Sequence, residues 1–355
     1  MRSIASVAGI VCLSATIAFG ASNAGMTKGK VQLKTAGPLA FGPDGILFIG
    51  DSLGASVIAV DTGDTKAGAA GKVEITGINQ KVAALLGSTP DQISINDVKV
   101  NPLSKNVYLS VTRGKGEGAM PVILRADAAG KIMEFSLENV SYSSATLPNP
   151  PAARAGARTD PRMETITQVA YSDGKVIVAG LSNEEFSSNL RTIPFPFKQE
   201  LMASSIEIYH GSHGRFETQA PVRTFLPYTI DNKPHIIAAY TCTPLVTIPM
   251  SELQPGKKVA GATIAELGAG NRPLDMIAYK KDNHEYILMA NSARGVMKLT
   301  ADHLEGYKKI TAHTETAGVP YETIASLTGV KHLTSLDSSN ALILTDSDLR
   351  SIPLP

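Results

Sequence analysis

The sequence has no tryptophan and few aromatic residues of any kind, since Phe, Trp and Tyr make up 5% of its 355 residues. It has two cysteines, Cys12 and Cys242. It lacks a Cys-x-x-Cys pair, a His-Glu-x-x-His zinc motif, a Gly-x-Ser-x-Gly elbow and a phosphate-binding glycine loop. The enzyme classes that depend on those motifs, and covalent c-type haem, are therefore not indicated.

Neither basic nor acidic residues are in excess, because the formal net charge is +1 at pH 7. Nucleic-acid-binding proteins carry a basic excess or a basic stripe, so a nucleic-acid partner is not expected. Nothing in the composition calls for association between copies, and we expect a monomer.

The first 24 residues have the order of a secretory signal. Arg2 precedes an uncharged apolar run over residues 4–19, and the small residues Ser22, Asn23 and Ala24 follow. The run is shorter than the about 20 residues of a membrane span. We therefore expect residues 1–24 to be removed and residues 25–355 to form one secreted or periplasmic domain without a membrane span. Cys242 then remains alone, which excludes an intrachain disulfide.

A short pattern recurs six times along the rest of the chain. Its clearest copy has apolar strands at 38–41, 46–51 and 57–61, with the turn Gly42-Pro43-Asp44-Gly45 between the first two. Further copies begin near residues 95, 167, 224, 274 and 332. Repeated small antiparallel sheets that must stack to bury their faces are typical of a β-propeller. The sequence predicts an all-β, six-bladed propeller, with seven blades as the alternative if residues 184–222 form one more.

A fourth, outer strand follows most copies, the first of them at residues 72–78. The sixth copy has none because the chain ends at Pro355, whereas a spare strand stands at Val31–Thr35. We expect this N-terminal strand to complete the sixth blade and close the ring, since an uncovered sheet edge is prone to aggregation. Residues 143–163 are predicted to form a surface loop, and residues 79–87 a helix.

The phrase Gly37 to Gly45, together with Ile95-Asn96-Asp97 and its Asn101-Pro102 turn, resembles the six-bladed group of NHL-repeat proteins and SMP-30/gluconolactonase-like lactonases. The resemblance implies a divalent metal such as calcium at the axis, with Asn96, Asp97 and Asp275 as the candidate ligands. The acidic residue that the lactonases carry before the Gly-Pro of the first blade is replaced by Ala36. The catalytic pattern is therefore incomplete, and lactonase activity does not follow from the fold.

Strand ends that meet at the axis of a propeller carry polar residues in this sequence. These candidate ligand-binding residues are Asp51, Asn96, Asp97, Arg113, Gln168, Asn183, Asp275, Asn291, Arg294, His332 and Asp346. Such a ring could hold a metal or a small polar molecule. Alternatively, these side chains satisfy loop backbone groups around a water-filled channel, as Asp and Asn often do.

Three further residues suggest a second kind of site. His210, His213 and Cys242 carry imidazole and thiol groups that suit copper or zinc, although spacing fixes no third ligand. The irregular segment 214–225 between them, with Arg215, Glu217 and Arg223, could serve as a partner surface or as an elaborated blade edge.

The sequence thus favours a non-catalytic propeller that binds a small molecule, a metal or a protein at its axial face. A divalent-metal-dependent lactonase or esterase is the alternative, and a structural interaction scaffold is the third reading. The ligand itself is not specified by the sequence.

Overall fold

The computed structural model describes residues 25–68, 71–154, 157, 159–198, 200–242 and 244–355. The proposed signal at 1–24 lies outside the described residues. The first strands are β1 (Thr27–Gly29), β2 (Leu39–Phe41), β3 (Ile46–Asp51), β4 (Ser56–Asp61), β5 (Glu74–Thr76), β6 (Ile93–Val100), β7 (Val107–Arg113), β8 (Met120–Ala126), β9 (Ile132–Glu134) and β10 (Val140–Thr146). The next are β11 (Gln168–Ser172), β12 (Lys175–Leu181), β13 (Ser188–Pro194), β14 (Met202–His210), β15 (Arg215–Glu217), β16 (Thr224–Ile230), β17 (Lys233–Ala239), β18 (Pro244–Pro249), β19 (Lys258–Ala260) and β20 (Ala262–Leu267). The last are β21 (Pro273–Lys281), β22 (His284–Asn291), β23 (Gly295–Thr300), β24 (Thr316–Gly318), β25 (Tyr321–Ile324), β26 (His332–Ser335), β27 (Asn340–Leu344) and β28 (Asp348–Pro353).

One α-helix, α1 (Ile78–Leu85), lies at the helix predicted for residues 79–87. Its buried face consists of Ile78, Val82 and Ala83. Single 3-10 turns lie at Pro43–Gly45, Pro90–Gln92, Gly116–Gly118, Pro161–Glu164, Gly211–His213, Met250–Glu252 and Leu304–Gly306.

The strands form six antiparallel blades, which confirms the six-bladed prediction and makes the seven-bladed alternative wrong. Numbered by their innermost strands, blade 1 is β2-β3-β4-β10-β1, blade 2 is β6-β7-β8-β9, and blade 3 is β11-β12-β13-β14-β15. Blade 4 is β16-β17-β18-β20-β24, blade 5 is β21-β22-β23-β25, and blade 6 is β26-β27-β28-β5. Strand β19 adds to the edge of β14 in a parallel pairing. Residues 184–222 complete blade 3 with β13, β14 and β15 instead of building another blade.

Six clusters of buried hydrophobic side chains fix the order of the blades around the axis. Each cluster joins two neighbours: blades 1 and 3, 3 and 4, 4 and 5, 5 and 6, 6 and 2, and 2 and 1. At the first of these junctions Phe48 packs edge-on against Phe195, with ring centroids 4.9 Å apart. Because both faces of every blade are covered by neighbours, the core is a closed ring of interfaces.

Blade 2 lies between blades 1 and 6, so the blades do not follow chain order around the ring. The chain leaves blade 1 after β4, forms β5 at the edge of blade 6, builds blade 2, and returns as β10 to complete blade 1. The predicted loop at 143–163 is therefore wrong over its first residues, because Val140–Thr146 pairs with β4.

Closure involves a different N-terminal segment from the one predicted. Strand β5 pairs with β28 in the register Ile75 to Leu349, and the Ser351 N–H donates to the Val73 carbonyl at 2.9 Å. Val31–Thr35 is not a strand of blade 6, since the Val31 N–H donates to the carbonyl of Leu137 beside blade 2. The physical reason is the displaced blade 2, which brings residues 74–76 and not 31–35 to the open edge of blade 6.

Candidate functional site

A cavity of about 440 Å³ opens on the axis where the innermost strands begin. We call it the axial cavity. Its lining comes from blades 2 to 6 and from α1, and consists of Asn79, Ile93, Ser94, Ile95, Asn96, Thr167, Arg223, Arg272, Pro273, Leu274, Lys331, His332, Leu344, Thr345 and Asp346. Its size falls within the range of small-molecule sites.

Three basic residues occupy the same position in three consecutive blades. Arg223, Arg272 and Lys331 each stand immediately before an innermost strand, β16, β21 and β26 respectively. The shared register brings all three to the wall of the axial cavity. The sequence prediction did not include them among the axial residues. Aligning the repeats on their innermost strands shows that a basic residue precedes the strand in three of them.

Two of these three cations have acidic partners. Arg223 Nη1 pairs with Glu164 Oε1, and Lys331 Nζ lies 3.5 Å from Asp346 Oδ1. The guanidinium of Arg272 makes no hydrogen bond or ion pair with the described part of the chain. Arg272 is exposed to the cavity, yet partial desolvation and repulsion from Arg223 lower its pKa, and attraction to Glu164 offsets only part of that effect. The cavity wall therefore has a positive charge that an anion would neutralise.

Beneath the axial cavity lies a group of four charged side chains, which we call the axial cluster: Asp97, Lys99, Asp275 and His332. Asp97 and Asp275 are buried on the innermost strands of blades 2 and 5. In both strands the pairing register shifts next to the aspartate, between Ile95 and Asp97 and between Pro273 and Asp275. A bulge re-aims a side chain, and the two bulges turn both carboxylates toward the axis.

Lys99 and His332 connect the two carboxylates. Lys99 Nζ lies 3.1 Å from Asp97 Oδ1 and 3.5 Å from Asp275 Oδ1. His332 Nδ1 lies 3.0 Å from Asp275 Oδ2 and 3.7 Å from Asp97 Oδ1. His332 lines the axial cavity, whereas Lys99 lines a second cavity of about 420 Å³ on the other side, whose walls are mostly apolar. The axial cluster thus separates the two cavities.

The charges of the cluster stabilise one another against burial. Burial alone would lower the pKa of Lys99, but Asp275 and Asp97 outweigh it and raise that pKa. Burial would raise the pKa of Asp275, but Lys99 and His332 outweigh it and lower that pKa. Burial would lower the pKa of His332, but the hydrogen bond to Asp275 outweighs it and raises that pKa. All three effects favour the ionised forms.

Innermost-strand side chains also connect neighbouring blades at every second junction. The Leu39 N–H donates to Asp97 Oδ2 at 2.7 Å and joins blades 1 and 2. The Phe225 N–H donates to Gln168 Oε1 and joins blades 3 and 4. The Leu333 N–H donates to Asp275 Oδ2 at 3.1 Å and joins blades 5 and 6. Asp97, Gln168 and Asp275, which were predicted to bind a ligand, therefore also hold neighbouring blades together.

The other predicted axial residues divide into two groups. Asn96, His332 and Asp346 line the axial cavity. Asp51 instead accepts the N–H groups of Lys34, Thr35 and Gly54 and closes a loop of blade 1.

The remaining predicted residues do not line the axial cavity. Asn291 donates to the Met289 carbonyl, Arg294 donates to the Ala269 carbonyl, and Asn183 is exposed. Arg113 ends β7, and Gln168 lines the second cavity.

Asp97, Asp275 and His332 are close enough to share a metal ion. However, the ammonium of Lys99 already stands between the two carboxylates. The amide of Asn96 donates to the Ala36 carbonyl and to Thr112 Oγ1, both at 2.8 Å. A hard divalent cation needs several free oxygens, so this arrangement does not fit the calcium site that the lactonase resemblance implies.

His210, His213 and Cys242 form a second group, away from the axis between blades 3 and 4. Their ligand atoms all lie within 4.8 Å of one another.

Among the described residues, no helix is long and apolar enough to cross a membrane.

The fold and site define a six-bladed β-propeller with a basic axial cavity. No protein-family model matches the chain, and no curated protein matches it. Similar solved structures include extracellular domains 1–2 of Drosophila Semaphorin 1b, with 10% identity over 92% of this chain and 88% of that chain and a TM-score of 0.40. A putative glucose dehydrogenase from Thermus thermophilus has 13% identity over 92% and 100%, with a TM-score of 0.38. Streptogramin B lyase has 10% identity over 93% and 97%, also with a TM-score of 0.38. At such identities and TM-scores these likenesses carry no information on function.

Proposed function

We propose that this propeller binds a small hydroxylated anion, a carboxylic acid or a phosphate ester, in the axial cavity. The observation that carries the proposal is the Arg272 guanidinium, which lines the cavity and makes no direct ion pair within the described part of the chain, since the nearby Glu164 is already paired with Arg223. Guanidinium groups recognise carboxylates and phosphates through paired hydrogen bonds. Asn79 and Thr167 line the same cavity; their donor groups bind the carbonyls of Asp346 and Val222, which leaves their oxygens to accept hydrogen bonds from hydroxyl groups of a ligand.

The direct test is calorimetric titration of the purified protein with gluconate and glucose 6-phosphate, using uncharged glucose as the comparison. Arg272→Ala should weaken binding of the anions by about 10- to 150-fold, as expected for a hydrogen bond to a charged group. Arg294→Ala is the matched control, because Arg294 is exposed outside the cavity and donates to the Ala269 carbonyl. Equal binding of glucose and the two anions, or an Arg272→Ala variant with unchanged affinity, would contradict the proposal.

A metal-independent hydrolase is the second candidate, favoured by the pairing of His332 Nδ1 with Asp275 in the cavity wall. Because the pKa of His332 is raised, only the neutral form present at higher pH could act as the base: its Nε2 would accept a proton from a water that attacks a lactone or ester carbonyl, and would return it to the leaving alkoxide. A screen of lactones and esters with the native protein and His332→Gln tests this reading. Turnover that survives in His332→Gln, or the absence of any turnover, rejects it.

We also propose that the protein is exported after removal of residues 1–24. The order of Arg2, the apolar run and the small residues supports this proposal. N-terminal sequencing of protein recovered from the cell exterior or periplasm should begin near Gly25. Recovery of the chain only from the cytoplasm with Met1 intact would contradict it.

A further inference from the structure

The strongest unassigned feature is the group formed by His210, His213 and Cys242. His210 ends β14 of blade 3, and His213 belongs to the 3-10 turn that follows. Cys242 lies in the connection between β17 and β18 of blade 4. Two blades thus bring two imidazoles and one thiol together, with their ligand atoms within 4.8 Å of one another.

One carboxylate orients both imidazole rings. Glu217 Oε2 lies 2.9 Å from His210 Nδ1, and Glu217 Oε1 lies 2.7 Å from His213 Nδ1. The two rings are in contact and tilted, with centroids 3.8 Å apart and 36° between their planes. A carboxylate that accepts the Nδ1 proton leaves Nε2 with its lone pair, which is how metal-binding histidines are commonly held.

His210 Nε2 is buried and has no hydrogen-bond partner among the described residues. The whole residue is 2% exposed. Leaving a polar atom unpaired away from water is destabilising, so native structures rarely do so without a reason. A ligand bound to Nε2 would explain why this atom has no partner within the protein.

The backbone of Cys242 adds an independent indication. Its φ is 64°, in the left-handed region that glycine and asparagine adopt more readily. The Cys242 N–H donates to the Asn271 carbonyl at 2.7 Å, and this bond helps to hold that conformation. Strained backbone held in place by its surroundings is frequent at functional sites.

We propose that His210, His213 and Cys242 bind one borderline-soft transition-metal ion, Zn²⁺ or copper, with Glu217 as the carboxylate that orients both histidines. Imidazole and thiolate are the ligands that these metals prefer. In a tetrahedral zinc centre the ligand atoms lie about 3.3–3.8 Å apart. Binding therefore requires the ligand groups to approach one another, and the half-exposed His213 side chain is free to turn toward the site.

Glu266 lies beside this group but not within the set of ligand atoms that lie 4.8 Å or less from one another, so it could become a fourth ligand only by moving toward them. Its Oε1 accepts the N–H of Gly211, the residue after His210. Its other oxygen, Oε2, is buried and unpaired among the described residues. Carboxylate oxygen completes many zinc sites that contain histidine.

The test uses the purified protein, kept reduced and stripped of metal with a chelator, and titrated with Zn²⁺, Cu²⁺ or Mg²⁺. One equivalent of Zn²⁺ or Cu²⁺ should bind, and Mg²⁺ should not compete. Substitution with Co²⁺ should produce the charge-transfer absorption of a cobalt–thiolate bond, which reports the Cys242 sulfur directly. Cys242→Ser should abolish that absorption, and His213→Gln should weaken Zn²⁺ binding at least 10-fold.

His284→Ala is the matched control. His284 Nδ1 lies 2.7 Å from Asp302 Oδ2, so it is also a histidine held by a carboxylate, but it is not part of a group of metal-binding side chains. This variant should keep the full affinity and the cobalt absorption. Glu217→Gln keeps all three ligands and should weaken binding by about 10- to 100-fold.

Binding of less than one equivalent, or Zn²⁺ affinity that is unchanged in both Cys242→Ser and His213→Gln, would overturn the proposal. Circular dichroism on each variant separates loss of the site from loss of the fold. The axial cavity is lined by none of these residues. The metal titration and the anion titration can therefore fail separately.

Discussion

Nδ1 of His332 lies 3.0 Å from Oδ2 of Asp275, and this contact joins the innermost strands of blades 5 and 6. The same carboxylate receives the backbone N–H of Leu333 and faces the ammonium of Lys99. A side chain at the axis therefore has two tasks at once. It shapes the floor of the axial cavity, and it holds neighbouring blades together.

Replacing Lys99 of the axial cluster should strongly destabilise the folded protein. In Lys99→Met the carboxylates of Asp97 and Asp275 remain buried without their shared ammonium, and breaking a buried ion pair in this way costs about 3–5 kcal/mol. Urea unfolding should show the loss as a lower midpoint. Lys72→Met is the control, since the Lys72 side chain is 75% exposed and its removal should change the free energy of unfolding by about 0.5 kcal/mol or less. A Lys99→Met midpoint equal to that of the control would contradict the role of the cluster.

The pair of His332 and Asp275 should make stability depend on pH in two directions. The pKa of His332 is raised from 6.5, so its contribution is complete below pH 6.5 and is lost as the pH rises through the raised value. The pKa of Asp275 is lowered from 3.8, so its contribution is complete above pH 3.8 and is lost as the pH falls through the lowered value.

A series of urea unfolding curves across the pH range measures this dependence. His332→Gln should flatten the decline on the alkaline side. In the Asp275→Asn background the same histidine substitution should change that side of the profile much less, because the main partner that raises the pKa of His332 has gone and only Asp97 remains. If the loss of stability at alkaline pH is as large in His332→Gln as in the native protein, other titrating groups cause it.

The propeller could be predicted from the sequence because its repeats are local. Alternating apolar strands and Asp- or Gly-containing turns recur within each blade, as in residues 38–61 and 168–181, and each copy signals its own sheet. The position of blade 2 could not be predicted in this way. It depends on where β5 and β10 find partners, and short strands such as Glu74–Thr76 carry almost no periodicity that identifies a partner.

The site was only partly predictable for a similar reason. His332, Asn96 and Asp346 line the axial cavity, and the repeat pattern places them near the axis because it defines where the strands begin and end. Whether an axial aspartate faces a ligand or a buried lysine depends on a bulge of one residue and on Lys99 two positions further along the strand. A period-two pattern alone does not specify either feature.

Closure by β5 leads to a further prediction. Ile75 is 1% exposed and packs in the cluster between blades 6 and 2. Ile75→Ala should lower the free energy of unfolding by about 2–5 kcal/mol through the cavity it leaves. The thermal transition should stay single, because a closed ring loosens as a whole. Leu103→Ala, at a side chain that is 38% exposed, should have little effect. A separate early transition in Ile75→Ala would show instead that the edge of blade 6 frays alone.

Asp346, the acidic residue in the lining of the otherwise basic axial cavity, provides a substitution that should strengthen anion binding, whereas Arg272→Ala should weaken it. Asp346 Oδ1 lies 3.5 Å from Lys331 Nζ, and both residues line the cavity. Asp346→Asn removes a charge that repels an anion and releases Lys331 from a pair whose coupling is worth about 0.2–1 kcal/mol. Affinity for gluconate and glucose 6-phosphate should therefore increase by about 1.5- to 5-fold, and the increase should shrink as salt screens the charges. Asp337→Asn is the control, because Asp337 lines the second cavity on the other side of the axial cluster. If Asp346→Asn weakens anion binding, this carboxylate contacts the ligand itself by accepting a hydrogen bond from one of its hydroxyl groups, and the prediction that it only repels the anion is wrong.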